Sequence, residues 1–430
     1  MDYAATTPVS PEVMSEMLPY FSEKCGNPSS IHSAGEEAQQ GIIEARGRVA
    51  EFLNCETNEV IFTSGATEGN NSVIKSVVNN PKISLEGTPH IIVSEIEHDC
   101  VLESAKRLMR ERAAEVTFIP VDNDGRVTVA SVRGAIQPNT VLVSVMYVNN
   151  ETGAIQPIEE IGKLLSDINR DRTAKIIFHT DAAQAVNYLD CDVKKLGVDM
   201  MTLSAHKIYG PKGAGVLFVK KGSPFQSFMN GGEQEFHMRA GTHNTPGIVG
   251  LGAAISRIKE NHPKNEELKK LRDMMIDGIL SSVEDSFLNG SKESRVHNNV
   301  NIRFNGTEGE AILVLLDREG ISVSTGSACA AKSLSPSHVL KAMGLSDLDA
   351  HSSIRFSLGR YTTEDDVKKL IEVLPGIIQK LRGVSGSFGT GVFWDEDQMN
   401  TGGLPADLGC EKNNKPIPDI EEHDEHFLMD

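Results

Sequence analysis

Two short stretches of this chain end in side chains that do chemistry. Met201-Thr202-Leu203-Ser204-Ala205-His206-Lys207 is an apolar run that stops on a hydroxyl, an imidazole and an amine. Ile176-Ile177-Phe178-His179-Thr180-Asp181 has the same form and stops on a carboxylate, with Gln184 shortly beyond. In an open α/β sheet the ligand crevice lies past the carboxyl ends of the strands, so two adjacent strands of this kind set Asp181 beside Lys207 in that crevice. An amine and a carboxylate so placed suit pyridoxal phosphate: the lysine holds the cofactor as a Schiff base and the acid pairs with the pyridinium nitrogen, keeping the ring electron-poor. The plain alternative is a surface lysine near an unrelated aspartate.

A third candidate is the thiol of Cys329, in Ser324-Thr325-Gly326-Ser327-Ala328-Cys329-Ala330-Ala331-Lys332-Ser333. Small residues on both sides give the loop few packing anchors, which predicts an exposed thiol able to travel. Nearby positive charge would raise its thiolate fraction above that of a free thiol of pKa ~8.5. Buried inert cysteine is the usual fate of the type, and it stands as the alternative here.

These groups need elements to position them. Glu59 to Thr63 reads as a strand, followed at once by Ser64-Gly65-Ala66-Thr67-Glu68 and a helical run through Val78. Strand, small residues, helix aims free N–H groups at an anion, so Ala66 and Thr67 are expected to cradle a phosphate; Thr67 serves equally as an ordinary helix cap. Further strands at 90–94, 116–121, 140–148, 175–180, 200–203 and 215–220 alternate with helices, the mark of a mainly parallel sheet covered on both faces. Two strand ends expose His98 and Asn149-Asn150-Glu151-Thr152-Gly153, an imidazole to stack on a flat ring and an amide to bond its hydroxyl. Taken singly, His98 reads as a satisfied surface histidine and Asn150 as a turn residue. Pro11 to Phe21 is expected to be one short helix, and Ile42, Ala45, Val49 and Phe52 mark the buried face of a longer one.

After Ser256 the pattern changes to a smaller α+β region. Its last helix opens at Thr362-Thr363-Glu364-Asp365-Asp366, with Asp366 where a capping box has Glu, and is expected to bury Val367, Leu370, Leu374 and Leu381. From Gly383 the composition turns to Gly, Ser, Asn, Pro and acid, which predicts a mobile tail. His423 and His426 there read as solvated residues and not as metal ligands.

The chain has 430 residues, 39% of them hydrophobic, enough for a large core and two or three domains. A formal charge of −18 and no basic run argue against nucleic acid as partner. No apolar segment reaches the ~18–20 residues of a membrane span, and no charged-then-apolar leader opens the chain. The six cysteines are widely spaced, with no zinc pattern, which fits free thiols in a reducing compartment.

Together these motifs resemble the NifS/IscS-type cysteine desulfurases of the class V aminotransferase family, fold type I enzymes that use pyridoxal phosphate. The resemblance runs from Asp2 to about Arg382. Besides the stretches above it takes in Asp2-Tyr3-Ala4-Ala5-Thr6-Thr7-Pro8, Gly26-Asn27-Pro28-Ser29-Ser30, Asp181-Ala182-Ala183-Gln184, Arg239-Ala240-Gly241-Thr242 and Arg355-Phe356-Ser357-Leu358-Gly359-Arg360. It implies a large cofactor-binding domain with a seven-stranded, mainly parallel sheet over 13–258, a small α+β domain over 259–382 carrying the Cys329 loop, an N-terminal segment 1–12 packing with the small domain, and the tail 383–430.

By the same resemblance Lys207 bears the cofactor, Asp181 holds the pyridine nitrogen, His98 stacks on the ring and shuttles protons, and Asn150 and Gln184 contact the ring hydroxyl. Ala66, Thr67, Ser204 and His206 bind phosphate, with Thr242 supplied by the other subunit of a homodimer. Asn27 and Arg355 hold the substrate carboxylate, a bidentate task suited to a guanidinium. The implied reaction removes sulfur from L-cysteine, leaves L-alanine and a persulfide on Cys329, and passes the sulfur to an acceptor protein such as an iron–sulfur scaffold, or into tRNA thiolation, in the cytoplasm. A selenocysteine lyase and an aminotransferase of the same fold are the competing enzymes, and a non-catalytic scaffold the competing class. Two positions depart from the family pattern: Gly231-Gly232 is followed by Glu233, and Phe236 stands where a basic residue is usual.

Overall fold

A computed structural model describes residues 1–78, 87–227, 229–325 and 335–387. Cys329 and the tail from 388 onward, with the metal question at His423 and His426, lie outside the described residues.

Seven strands form the larger sheet: β1 (Val60–Thr63), β2 (His90–Ser94), β3 (Glu115–Ile119), β4 (Thr140–Ser144), β5 (Ile177–Asp181), β6 (Met200–Ser204) and β7 (Gly215–Val219). Their order is β1-β7-β6-β5-β4-β2-β3; all pairs are parallel except those made by β7, which runs against both β6 and β1. Successive residues face opposite sides of a strand. Phe62, Ile92, Val143, Phe178, Met201 and Val216 enter one apolar cluster, while Ile61, Ile91, Leu142, Ile177, Met200 and Leu217 enter a second on the other face. Both faces are therefore covered, which is why these strands read as near-continuous apolar runs. Edge strand β3 begins with an exposed Glu115, consistent with its place.

The smaller sheet is antiparallel, in the order β10 (Ser324–Thr325), β11 (Ser353–Ser357), β9 (Asn299–Phe304), β8 (Ser286–Leu288). Helices Ile258–Ser282, Gly309–Arg318 and Glu364–Ser387 contribute Met275, Ile279, Ile312, Leu316, Val367, Leu370 and Leu374 to its core with Val300, Ile302 and Phe356. Leu381, expected inside, is only partly buried at the core's margin. The cap of the last helix is complete: Thr363 Oγ1 accepts the Asp366 N–H at 3.2 Å and Asp366 accepts the Thr363 N–H at 2.8 Å, so the shorter acid closes the box.

The expected single helix over 11–21 is two, Pro11–Met17 and Pro19–Ser22, because Pro19 has no N–H with which to continue the first. The first residues tie the two sheets together. Tyr3 N–H donates to Ser357 O of β11, and Thr7 N–H donates to His206 O just after β6. Among the described residues no helix is long and apolar enough to cross a membrane.

Candidate active site

Parallel pairing places Asp181, the last residue of β5, opposite Thr202 of β6. Strand β6 ends at Ser204, and a single 3-10 turn, Ala205–Lys207, carries the amine back over the sheet edge. A cavity of about 810 Å³ opens there; Ala66, Thr67, His98, Asn150, Asp181, Gln184, Ser204, His206, Lys207 and Arg355 all line it. Asn27 and Thr242 do not line it and stand exposed on this chain.

Each group has a fixed environment. Asp181 accepts the Ala183 N–H at 2.9 Å on one oxygen and the Asn70 amide at 2.6 Å on the other, leaving lone pairs toward the cavity. Lys207 Nζ donates to the carbonyls of Ala4 and Ala5, and Gln184 Nε2 to Ala4 O at 3.0 Å. His98 caps helix Asp99–Arg110: its Nδ1 accepts the Cys100 N–H at 3.2 Å and lies 3.1 Å from the Cys100 thiol. A backbone N–H can only donate, so Nδ1 is the acceptor and the neutral ring carries its proton on Nε2.

At the other end, helix Ala66–Val78 begins on the cavity wall, and its first N–H groups have no partner within the helix. His206 is pushed down to about 4, first by burial and then by the charges of Lys207 and Lys212. A helix N-terminus, a hydroxyl, a neutral imidazole and two ammonium groups together form a site for an anion such as a phosphate ester. Arg355 donates Nη1 to Asn150 O and Nη2 to Asp2, each at 3.0 Å, while its buried Nε has no partner among the described residues. An unsatisfied buried guanidinium N–H beside a cavity fits a carboxylate ligand. The donor set therefore fits pyridoxal phosphate at three points: anion end, amine, and a carboxylate for the ring nitrogen.

Several residues on or behind the cavity wall carry no local sequence signal of their place there. Ala4 and Ala5 act through backbone carbonyls, which no side-chain pattern reveals. Asn70 lies one turn along helix Ala66–Val78, a position readable only once Asp181 is known to stand opposite. Two buried carboxyls flank the site. Glu97 is pushed up to about 8 chiefly by burial, with one oxygen lacking a partner among the described residues, and Glu151 up to about 7 by burial, accepting a bond from Ser337. His179, inside the Asp181 run, is pushed down to about 3 by burial and is a neutral core residue held by Ser144 and Thr202. The turn at 149–153 is closed by Asn149, whose Oδ1 accepts from Glu151 N and Thr152 N; Asn150 is left to the cavity. Among the described residues Cys25, Cys55, Cys100 and Cys191 form no disulfide.

Residues 1–370 match the family model described as aminotransferase class-V. The chain is 48% identical over 388 residues to a cysteine desulfurase IscS of Clostridium botulinum, covering 90% of this chain and 95% of that protein. It is 45% identical over 386 residues to a cysteine desulfurase IscS of Dictyoglomus turgidum, with 90% and 95% covered. Among solved structures it is similar to a NifS-like protein (TM-score 0.81, 34% identity, 88% of this chain and 99% of that one) and to SspA in complex with cysteine (TM-score 0.73, 36% identity, 84% and 99%).

Proposed function

The chain belongs to the class-V aminotransferase family, and within it we propose that this member is a cysteine desulfurase, converting L-cysteine to L-alanine and a persulfide on Cys329. The observation that carries the reading is one cavity lined at once by Lys207, Asp181, Arg355 and the helix start at Ala66. Pyridoxal phosphate, when bound, supplies an electron-withdrawing ring that stores the electron pair released at the substrate's Cα.

The chain's own groups do the rest. Ala66, Thr67, Ser204 and His206 hold the phosphate, with Thr242 reaching it from a second subunit. Asp181, braced by Asn70, holds the ring nitrogen positive; Asn150 and Gln184 bond the ring hydroxyl. Arg355 orients the substrate carboxylate through its Nε, which has no partner among the described residues. Lys207 Nζ removes the Cα proton, and His98, with its proton on Nε2, moves protons to and from the substrate. Cys329 thiolate attacks the substrate sulfur: an S–S bond forms, the C–S bond breaks, Cβ gains a proton, and a proton is returned to Cα to give alanine.

The same reading includes a homodimer, with the exposed Phe236 and Thr242 on its contact face, a cytoplasmic setting that keeps Cys329 reduced, and an acceptor protein such as an iron–sulfur scaffold. It also divides the chain into a large and a small domain near residue 258, where helix Ile258–Ser282 begins. The test incubates the purified holoenzyme with L-cysteine and, separately, with selenocysteine, and measures alanine and persulfide on Cys329. Alanine matched by Cys329 persulfide, both lost from cysteine in Cys329→Ala, is the expected result. Full turnover of cysteine by Cys329→Ala refutes it, and turnover of selenocysteine alone identifies a lyase.

A further inference from the structure

Arg355 donates to the carboxylate of Asp2 and to the backbone carbonyl of Asn150, the residue before Glu151, and each of these two acids holds a serine beside one end of the segment 326–334. On one side, Asp2 Oδ1 accepts from Arg355 Nη2 at 3.0 Å and from Ser324 Oγ at 2.9 Å. Ser324 lies directly across from Arg355 in the β10–β11 pair, and a parallel bridge between Asp2 and Ser357 fixes the acid beside the same strand. On the other side, Arg355 Nη1 donates to Asn150 O, and the next residue, Glu151, accepts from Ser337 Oγ. Glu151 is itself fixed, since its carbonyl accepts from both Asn299 and Asn301 of β9 at 3.1 Å. Ser337 is buried and also caps helix His338–Ala342.

We infer that Asp2 and Glu151 are positioning residues: they tie Ser324 and Ser337, the two ends of the segment that carries Cys329, to the guanidinium that holds the substrate carboxylate. The inference rests on the roles assigned to Arg355 and Cys329 above. Its physical content is that a thiol on a short segment finds its target at an effective concentration set by where the segment's ends are held. With both ends referred to one arginine, substrate and sulfur acceptor share a single frame. Asp2, paired with Arg355, gives Ser324 a charge-assisted bond, while Glu151 holds Ser337 by presenting an oxygen to its Oγ, whether or not that carboxyl carries a charge.

The test compares holoenzymes of wild type, the double variant Ser324→Ala/Ser337→Ala, and the rescue Ser324→Thr/Ser337→Thr, which keeps both hydroxyls and the helix cap. Two quantities are read: affinity for L-alanine, which has the carboxylate but no sulfur, from the visible absorbance of the cofactor; and the single-turnover rate of persulfide formation on Cys329, by peptide mass spectrometry. The double alanine variant should bind L-alanine within twofold of wild type yet form persulfide about tenfold more slowly, and the threonine pair should restore most of that rate. Glu151→Gln, whose amide oxygen still accepts from Ser337, should stay near wild type while Glu151→Ala falls with the double variant. A persulfide rate within twofold of wild type in the double alanine variant overturns the inference, as does a parallel fall in L-alanine affinity. Absence of Cys329 persulfide in wild type would instead count against the assigned reaction.

Discussion

Glu97→Gln removes one titration while leaving the shape of the site's floor unchanged. Glu97 is fully buried; its Oε1 accepts from Ser94 Oγ at 2.6 Å and from Met146 N–H at 2.7 Å, and both bonds survive in the amide. Burial, with a smaller push from Asp181, raises its carboxyl from 4.5 to about 8. Between those values the folded protein holds a proton that the unfolded chain has released, so stability is fully present below about 4.5 and is lost as pH rises through about 8. At about 1.4 kcal/mol per unit, the loss from this one group is of order 3–5 kcal/mol. In a unit this long that moves a thermal midpoint by roughly 4–6 °C. The assay is the midpoint of holoenzyme and variant from pH 5 to pH 9. A constant offset from the new amide N–H is expected at every pH; above it, the variant should gain on wild type by several degrees as pH rises. A gap that does not change across that range refutes the claim that Glu97 is protonated in the fold at neutral pH.

Glu235→Ala strands the buried Arg46, which Glu235 meets at 2.6 Å alongside His243 at 2.7 Å and the Phe62 N–H at 2.8 Å; a loss of about 3–5 kcal/mol is expected in denaturant titration. Phe178→Ala opens a cavity beneath the strand that ends on Asp181, and should cost a similar ~3–5 kcal/mol by the same measurement. His98→Asn keeps an oxygen able to cap helix Asp99–Arg110 but removes the imidazole. Its denaturation midpoint should hold while alanine production from cysteine falls about 100-fold or more, and an unchanged rate would remove His98 from proton transfer.

Much of the cavity was readable beforehand because the strands of a two-sided parallel sheet must be apolar, and an apolar run that stops on a polar residue marks the carboxyl end where ligands bind. That argument reached Asp181, Lys207 and the helix start at Ala66 without coordinates. It failed where local signals compete: Pro19 breaks a helix that hydrophobic spacing alone continues, and Leu381 carries the period of a core residue but lies past the end of the core it would join.

What sequence alone determined, then, is the order of elements and the chemical type of each side chain at a strand end, since both follow from local periodicity and composition. Tertiary structure decided which groups became neighbours: Asn70 against Asp181, Ala4 and Ala5 under Lys207, and Asp2 and the Asn150 carbonyl on either side of Arg355. Asp2 and Arg355 meet across nearly the whole described chain. The contact comes from strand pairing and burial, which no short window of residues encodes.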